Sequence, residues 1–144
     1  MLKLVKIICL LFVIASCTVK PSPILYGKDA CNYCRMTIMD PKFDGEIVTR
    51  KGKVYKFDAE ECLASFYKTH LSDTGSFAFV LVANYAREGK MLSALDAFYL
   101  NDEDLRSPMG VNVAAFPDRE TAEKATAPGK GKLMDWNDLL KIVP

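Results

Sequence analysis

Four sulfur atoms lie within nine residues near the start of the chain, in the segment Cys31-Asn32-Tyr33-Cys34-Arg35-Met36-Thr37-Ile38-Met39. Thiolates and thioethers are soft ligands, and such ligands select Cu(I), zinc or iron–sulfur clusters over hard cations. Zinc sites in proteins use cysteine, histidine and carboxylate side chains. The thioethers therefore favour copper over zinc, and we call residues 31–39 the sulfur segment.

The sequence predicts that the sulfur segment is extended after Cys34. Alternation then places Cys34 and Met36 on one face and Met39 on the other. Cys31 joins that face only if the chain turns at Asn32-Tyr33. A structural disulfide between the two cysteines and a redox-active dithiol are the alternatives to metal ligation.

The first residues have the pattern of a targeting signal. Two lysines precede an uninterrupted apolar run at residues 7–14, which is far shorter than the ~20 residues of a spanning helix. The small residues before Cys17 resemble a bacterial lipobox, which predicts a signal peptide at residues 1–16, lipid on Cys17, and a lipidated tether at residues 17–23. An ordinary secretory signal or a short membrane anchor is the alternative. The lipobox interpretation predicts a lipid-anchored location on the extracytoplasmic (periplasmic) face of a bacterial membrane.

The whole-chain properties suit a small protein with a substantial core. The chain has 144 residues, half of them apolar, and a formal net charge of +1. That charge provides no electrostatic basis for binding nucleic acid. With Cys17 lipidated, Cys31, Cys34 and Cys62 remain as an odd number of thiols, which fits a metal site better than a disulfide framework.

Hydrophobic periodicity and turn residues predict the order β-β-α-β twice. The first half, residues 24–85, has Asp58 as a helix N-cap with Glu61 completing a capping box. Cys62 falls on the core-facing side of that helix. The second half, residues 91–144, repeats the order and adds a last helix, without any repeat at the sequence level. The predicted strands are residues 24–27, 43–49, 54–57, 77–85, 97–100, 111–116 and 132–134, and the predicted helices are residues 59–70, 118–126 and 136–142. A tight turn is expected at residues 51–53 and a loop at residues 72–76, and Asp118 and Asp135 are expected to cap the last two helices.

The order of these motifs resembles that of the NosL family, the lipoprotein copper chaperones of nitrous oxide reductase maturation. The resemblance covers roughly residues 17 to 140. The matching features are the lipobox, Cys31-x-x-Cys34-x-Met36-x-Ile38, Phe57-Asp58 with Cys62, Ala97-Phe98-Tyr99, Ser107-Pro108-Met109-Gly110 with Ala115-Phe116, and the glycine-rich turn before Leu133.

The resemblance implies an α+β fold of two ββαβ modules in one compact domain, residues 24–144, like the core of organomercurial lyase. It also implies Cu(I) binding and delivery to a copper enzyme through a membrane transporter or maturation complex, with nitrous oxide reductase as the recipient. Carried over by position, the ligands would be Cys31, Cys34, Met36 and Met109. Nothing in the pattern of residues indicates an enzyme, since the acidic residues are expected in helix caps and exposed loops.

Three further residues are weaker candidates for the metal site, and two other functions stay open. Met39, Cys62 and His70 are possible additional ligands, although Cys62 is expected in the core. The first alternative function is an organomercurial-lyase-like or other thiol-based enzyme, with the cysteines as nucleophiles and Asp29 as the acid. The second is a structural zinc or disulfide module that acts through protein contacts.

Overall fold

The computed structural model describes residues 18–144, which form two antiparallel β-sheets and three α-helices. Within that range no helix has both the length and the apolar character needed to cross a membrane. In chain order the elements are β1 (Gly45–Thr49), β2 (Val54–Phe57), α1 (Glu60–Thr69), a 3₁₀ helix (Leu71–Ser76), β3 (Phe77–Ala83), β4 (Met91–Ser93), β5 (Phe98–Asn101), β6 (Val113–Phe116), α2 (Arg119–Lys124), β7 (Lys132–Met134) and α3 (Trp136–Ile142).

The strand order confirms the two predicted ββαβ modules. The first sheet runs β2-β1-β3-β4 and the second runs β6-β5-β7. In each module a pair of antiparallel strands is followed by a helix, and the third strand then pairs with the first. Strand β4 pairs with β3, with Leu92 opposite Val82. Residues 91–93, which the sequence analysis placed in the second half, therefore belong to the first sheet.

The β1–β2 hairpin carries the chain directly to the start of α1. It turns at residues 51–53, as predicted, where Gly52 has a φ of +82°, a conformation that glycine adopts without steric cost. The register pairs Gly45 with Phe57. A Cβ atom at Gly45 would lie 2.6 Å from Leu63 Cδ1 and 2.7 Å from the carbonyl oxygen of Leu81. The absence of a side chain there lets α1 pack closely on the first sheet.

One hydrophobic core joins the two modules. Ile47 and Leu63 contribute to it from β1 and α1, while Tyr99 and Leu139 contribute from β5 and α3. All four are fully buried. Removing apolar surface from water stabilises the folded chain by about 25 cal/mol per Å². Separating the modules would expose the side chains that they share, and this stabilisation would be lost. The expectation of one compact domain agrees with this packing.

Two of the three predicted helix caps are confirmed. Asp118 and Asp135 each accept a hydrogen bond from the backbone N–H three residues on, at 2.7 and 2.8 Å. The capping box at α1 is wrong, because Ala59 is the N-cap and no side chain caps it. The carboxylates of Asp58 and Glu61 instead accept hydrogen bonds from residues far away in sequence.

Two local predictions in the first module are also wrong. Residues 24–27 do not form a strand, because the Lys28 N–H donates to the Leu25 carbonyl at 3.0 Å and closes a turn in which Gly27 has a φ of +74°. Residues 72–76, expected as a loop, belong to the 3₁₀ helix. In both places local hydrogen bonds decide the conformation. A short run of apolar residues in the sequence does not indicate where such bonds form.

Candidate metal centre

The sulfur segment is a tight loop, not the extended strand that its alternation predicts. Ala30 and Thr37 form an isolated antiparallel bridge, and between them the Cys31 N–H donates to the Met36 carbonyl at 2.8 Å. The Arg35 N–H donates to the Cys31 carbonyl at 3.1 Å, and Arg35 has a φ of +70°. The chain therefore reverses within six residues, as Cys31 requires if it is to join Cys34.

This loop is fastened to β2. The Asn32 N–H donates to the Lys56 carbonyl at 2.8 Å, and the Asn32 side chain accepts from the Lys56 N–H at 2.7 Å. The Lys56 ammonium also pairs with Asp29 at 2.6 Å. Asp29 is thus held in an ion pair, away from the acid role that the enzyme alternative gave it. Because β2 leads straight into α1, the loop is brought beside the first turn of that helix.

Three thiols and one carboxylate meet where this loop touches the start of α1. The sulfur atoms of Cys31, Cys34 and Cys62 and an oxygen of Asp58 all lie within 4.8 Å of one another. We call these four residues the thiol cluster. The Cys34 thiol donates to Asp58 Oδ1 at 3.3 Å. Cys31 and Cys62 are fully buried and Cys34 is half-buried, so the cluster opens on the side of Cys34.

Sequence reasoning found only part of the thiol cluster. Cys31 and Cys34 were the first candidates, while Cys62 was expected in the core and is both buried there and part of the cluster. Asp58 was missed because it was assigned to the helix cap. Its position just before α1, close in sequence to Cys62, is the signal that could have found it.

Hydrogen bonding makes one of the three thiols acidic. The Cys62 thiol bonds to Cys31 and thereby lowers the pKa of Cys31 to about 6. The same bond raises the pKa of Cys62, and burial raises the pKa of Cys34 to about 11. The thiolate is the form of cysteine that binds metals. At neutral pH the cluster therefore presents one thiolate, on Cys31, and two thiols that a metal ion would deprotonate.

Two buried glutamates lie beside the cluster, contrary to the expectation that acidic side chains occupy caps and exposed loops. Glu60 Oε1 accepts from the Ala115 N–H at 3.3 Å, and Glu61 Oε1 accepts from the Ser107 hydroxyl. The second oxygen of each carboxylate has no hydrogen-bond partner within residues 18–144. Burial raises the pKa of both groups, because a carboxylate loses its hydration in the interior.

Met109 approaches the thiol cluster from the second module. It belongs to the predicted Ser107–Gly110 loop, where the Gly110 N–H donates to the Ser107 carbonyl at 3.0 Å. Met109 and Cys62 line one small cavity of about 90 Å³, together with Tyr33 of the sulfur segment. The structure therefore places Met109 and Cys62 at the same cavity, and Met109 remains a predicted ligand.

The other predicted ligands lie in different surroundings. The side chains of Met36 and Met39 are 44% and 67% exposed. His70 stacks on Phe66 with ring centroids 4.0 Å apart, and its Nδ1 lies 2.8 Å from the Phe66 carbonyl oxygen. Since α1 rises about 1.5 Å per residue, His70 lies about 12 Å along the helix from Cys62. Cys17, the predicted lipid site, precedes the described residues.

Soft-metal binding is the chemistry that this arrangement supports. A cluster of three thiols and one carboxylate has the donor types of a zinc site, and its thiolates equally suit Cu(I). The thioether of Met109 beside Cys62 is a donor that Cu(I) uses and zinc does not. All three cysteines of residues 18–144 carry free thiols, so the donors are available.

Comparison with known proteins agrees with this chemistry. A model of the NosL family matches residues 24–143. The fold is similar to that of the copper chaperone NosL from Shewanella denitrificans in its crystal structure, with a TM-score of 0.69 and 20% sequence identity over 84% of this chain and 96% of that chain. At that identity the likeness establishes the fold. No curated protein matches the chain in sequence.

Proposed function

The chain belongs to the NosL family, and from that premise we propose that it carries Cu(I) at an extracytoplasmic membrane surface and delivers it to a copper enzyme. The observation that carries this proposal is the thiol cluster, with Met109 lining the cavity at Cys62. The protein with the similar fold is described as a copper chaperone. In this proposal the chain acts as a carrier and catalyses no reaction.

We propose that the ion is held by Cys31, Cys34 and Cys62, with the Met109 thioether completing the donor set. Cys31 binds first, since its thiolate is present at neutral pH. Asp58 accepts from the Cys34 thiol and so holds that side chain at the cluster. Met36, two residues after Cys34, is the reserve thioether at the exposed side.

The burial of the donors suggests how copper would leave. Cys31 and Cys62 are closed off from solvent, whereas Cys34 is half-buried and Met109 is 42% exposed. A thiol or thioether of the acceptor can therefore replace Cys34 or Met109 first and Cys31 last. Stepwise exchange of this kind keeps the ion on sulfur throughout, which suits a carrier that must bind tightly and still release.

The membrane attachment follows from the predicted lipid on Cys17. The tether that would follow it already contacts the domain, because the Ser22 N–H donates to Glu46 at 3.2 Å and the Lys56 ammonium donates to the Pro23 carbonyl at 2.6 Å. An extended chain spans at most about 3.6 Å per residue, and this limits the distance between Cys17 and Ser22. The domain would thus stay close to the bilayer, where a membrane transporter or maturation complex could receive copper for nitrous oxide reductase.

Metal competition on the reduced, detergent-solubilised full chain tests this proposal under anaerobic conditions. We expect one Cu(I) per chain, retained against a Cu(I) chelator and not displaced by an equal concentration of Zn²⁺. Cys31→Ser and Met109→Leu should weaken binding, whereas Met39→Leu, a matched change at an exposed thioether, should not. Loss of all copper to the chelator, or preferential zinc binding, would contradict the carrier and support the structural zinc module.

A carbon–mercury lyase is the second candidate, and the Asp58 carboxylate beside the Cys34 thiol is the observation that favours it. In such a reaction the Cys34 thiol would pass its proton to Asp58 as its sulfur binds mercury, and the carboxyl group would give that proton to carbon as the C–Hg bond breaks, leaving mercury on the thiolates. Phenylmercury is the direct probe, with benzene as the product. The carrier proposal predicts mercury binding with no benzene released above the rate of a Cys34→Ser control.

A further inference from the structure

Glu61 is a buried carboxylate that holds the loop of Met109 and does not cap its helix. The residue is 2% exposed, and within residues 18–144 it forms no ion pair with a lysine or arginine. Its Oε1 atom accepts from the hydroxyl of Ser107 in the second module. A buried carboxyl group without a counter-ion has lost its hydration, so the hydrogen bonds that it accepts contribute strongly to its position.

Ser107 links that carboxylate to both sides of the loop. Its hydroxyl oxygen also accepts from the Asn112 N–H at 2.8 Å, and its carbonyl accepts from the Gly110 N–H at 3.0 Å. A single side chain therefore closes the segment from 107 to 112 while bonding to Glu61 of α1. Since Cys62 is the next residue of α1, the same bond sets the distance between the loop and the thiol cluster.

The backbone of this loop needs such support. Arg106 and Asn112, which flank it, have φ values of +51° and +59°. Residues other than glycine adopt this left-handed conformation only against steric resistance, so the loop keeps its shape only while tertiary contacts hold it. On the side of the second sheet, the Asn101 side chain donates to the Val111 carbonyl at 2.5 Å. On the side of α1, the contact is that of Glu61.

Glu60 provides a natural comparison. It is as fully buried as Glu61 and precedes it directly on α1, but its Oε1 atom accepts from the Ala115 backbone in β6. Glu60 thus ties the helix to the second sheet, and Glu61 ties it to the loop. Of the two, only Glu61 lines the cavity that Cys62 and Met109 share.

We propose that Glu61 is a positioning residue, which through Ser107 holds the Met109 thioether over the thiol cluster and so completes the Cu(I) site. This inference rests on the proposed function. Side chains that orient metal ligands typically change metal affinity by 10–100-fold when they are mutated. Glu61→Ala and Ser107→Ala are therefore each expected to weaken Cu(I) binding by about that factor.

A comparison of variants tests this inference on the Cu(I)-loaded full chain, with affinity from chelator competition and sulfur ligands counted by X-ray absorption. Glu61→Ala should lower the affinity by the same factor as Met109→Leu and remove one sulfur from the copper. The double variant should bind no more weakly than Met109→Leu alone, because both changes remove one thioether. Glu60→Ala, the matched control, should keep the sulfur count and the affinity.

The outcomes separate this inference from the proposed function. If the unmodified chain binds no Cu(I), the proposed function fails. If it binds Cu(I) and Glu61→Ala keeps its sulfur count, or if Glu61→Ala weakens binding equally in the Met109→Leu background, only the role of Glu61 is overturned. Should Glu61→Ala fail to fold by circular dichroism, Ser107→Ala decides the matter by the same measurements.

Discussion

The Cys62→Ala substitution is expected to remove the thiolate that Cys31 holds at neutral pH. The hydrogen bond from Cys62 is the largest cause of the low pKa of Cys31, which lies at about 6 against an ordinary value of 9.0. Without that bond, burial dominates and acts in the opposite sense, so the pKa of Cys31 should rise to at least its ordinary value. At pH 7 this thiol would then be mainly protonated instead of mainly ionised.

Ultraviolet thiolate absorbance of the reduced, metal-free full chain measures this change across a pH titration under anaerobic conditions. The unmodified chain should show one thiolate forming near pH 6, and Cys62→Ala should not. Cys34→Ala is the matched control, because the pKa of Cys34 is about 11 and its removal leaves the Cys62 bond in place. A step near pH 6 that survives in Cys62→Ala would refute the role of that hydrogen bond, as would its absence from the unmodified chain.

Three further substitutions test the packing and the limits of the site. Gly45→Ala should lower the free energy of unfolding in urea by about 1–3 kcal/mol, because the added Cβ would lie 2.6 Å from Leu63; an unchanged midpoint would contradict that close contact. Burial raises the pKa of Asp44 to about 6 from 3.8, although the Tyr26 hydroxyl opposes the rise. Between about pH 4 and 6 the folded chain then binds more protons at Asp44 than the unfolded chain, so the free energy of unfolding should fall as the pH rises. Across that window the fall should exceed that of Asp44→Asn by up to about 3 kcal/mol. Parallel stability profiles of the two proteins would contradict this. His70→Ala should leave the Cu(I) affinity unchanged, since the ring stacks on Phe66, and a tenfold loss by chelator competition would place it at the metal.

The fold was predictable from the sequence wherever short-range patterns decide the structure. The turn at Gly52, the helix that contains Cys62 and the caps at Asp118 and Asp135 depend on residues within a few positions of one another. Such signals are local, and they were sufficient to order the strands and helices into two ββαβ modules. The pairing of β4 with β3 depends on sheet contacts and was not predicted.

The candidate site was less predictable because long-range contacts override its local patterns. Asp58 and Glu61 form a good capping box in sequence, yet Cys34 and Ser107 compete successfully for their carboxylates. The sulfur segment alternates like a strand, but the hydrogen bonds between Asn32 and Lys56 of β2 hold it as a loop. Each of these contacts involves a partner that periodicity does not identify.

Cys62 shows why burial and function were hard to separate in the sequence. Its spacing on α1 predicts a core position, and the side chain is indeed 1% exposed. The same helical face, however, meets the sulfur segment, so the core position is also a position in the thiol cluster. A free cysteine packs like a small hydrophobic residue, and only the three-dimensional arrangement shows the other two thiols beside it.

X-ray absorption at the copper edge of the Cu(I)-loaded full chain is the most direct test of the central claim. The proposed site predicts a first shell made of sulfur alone, with a sulfur lost in Cys62→Ala and in Met109→Leu and none lost in Met39→Leu. A shell of nitrogen and oxygen atoms, or a sulfur shell that none of these variants changes, would contradict the assignment of copper to the thiol cluster.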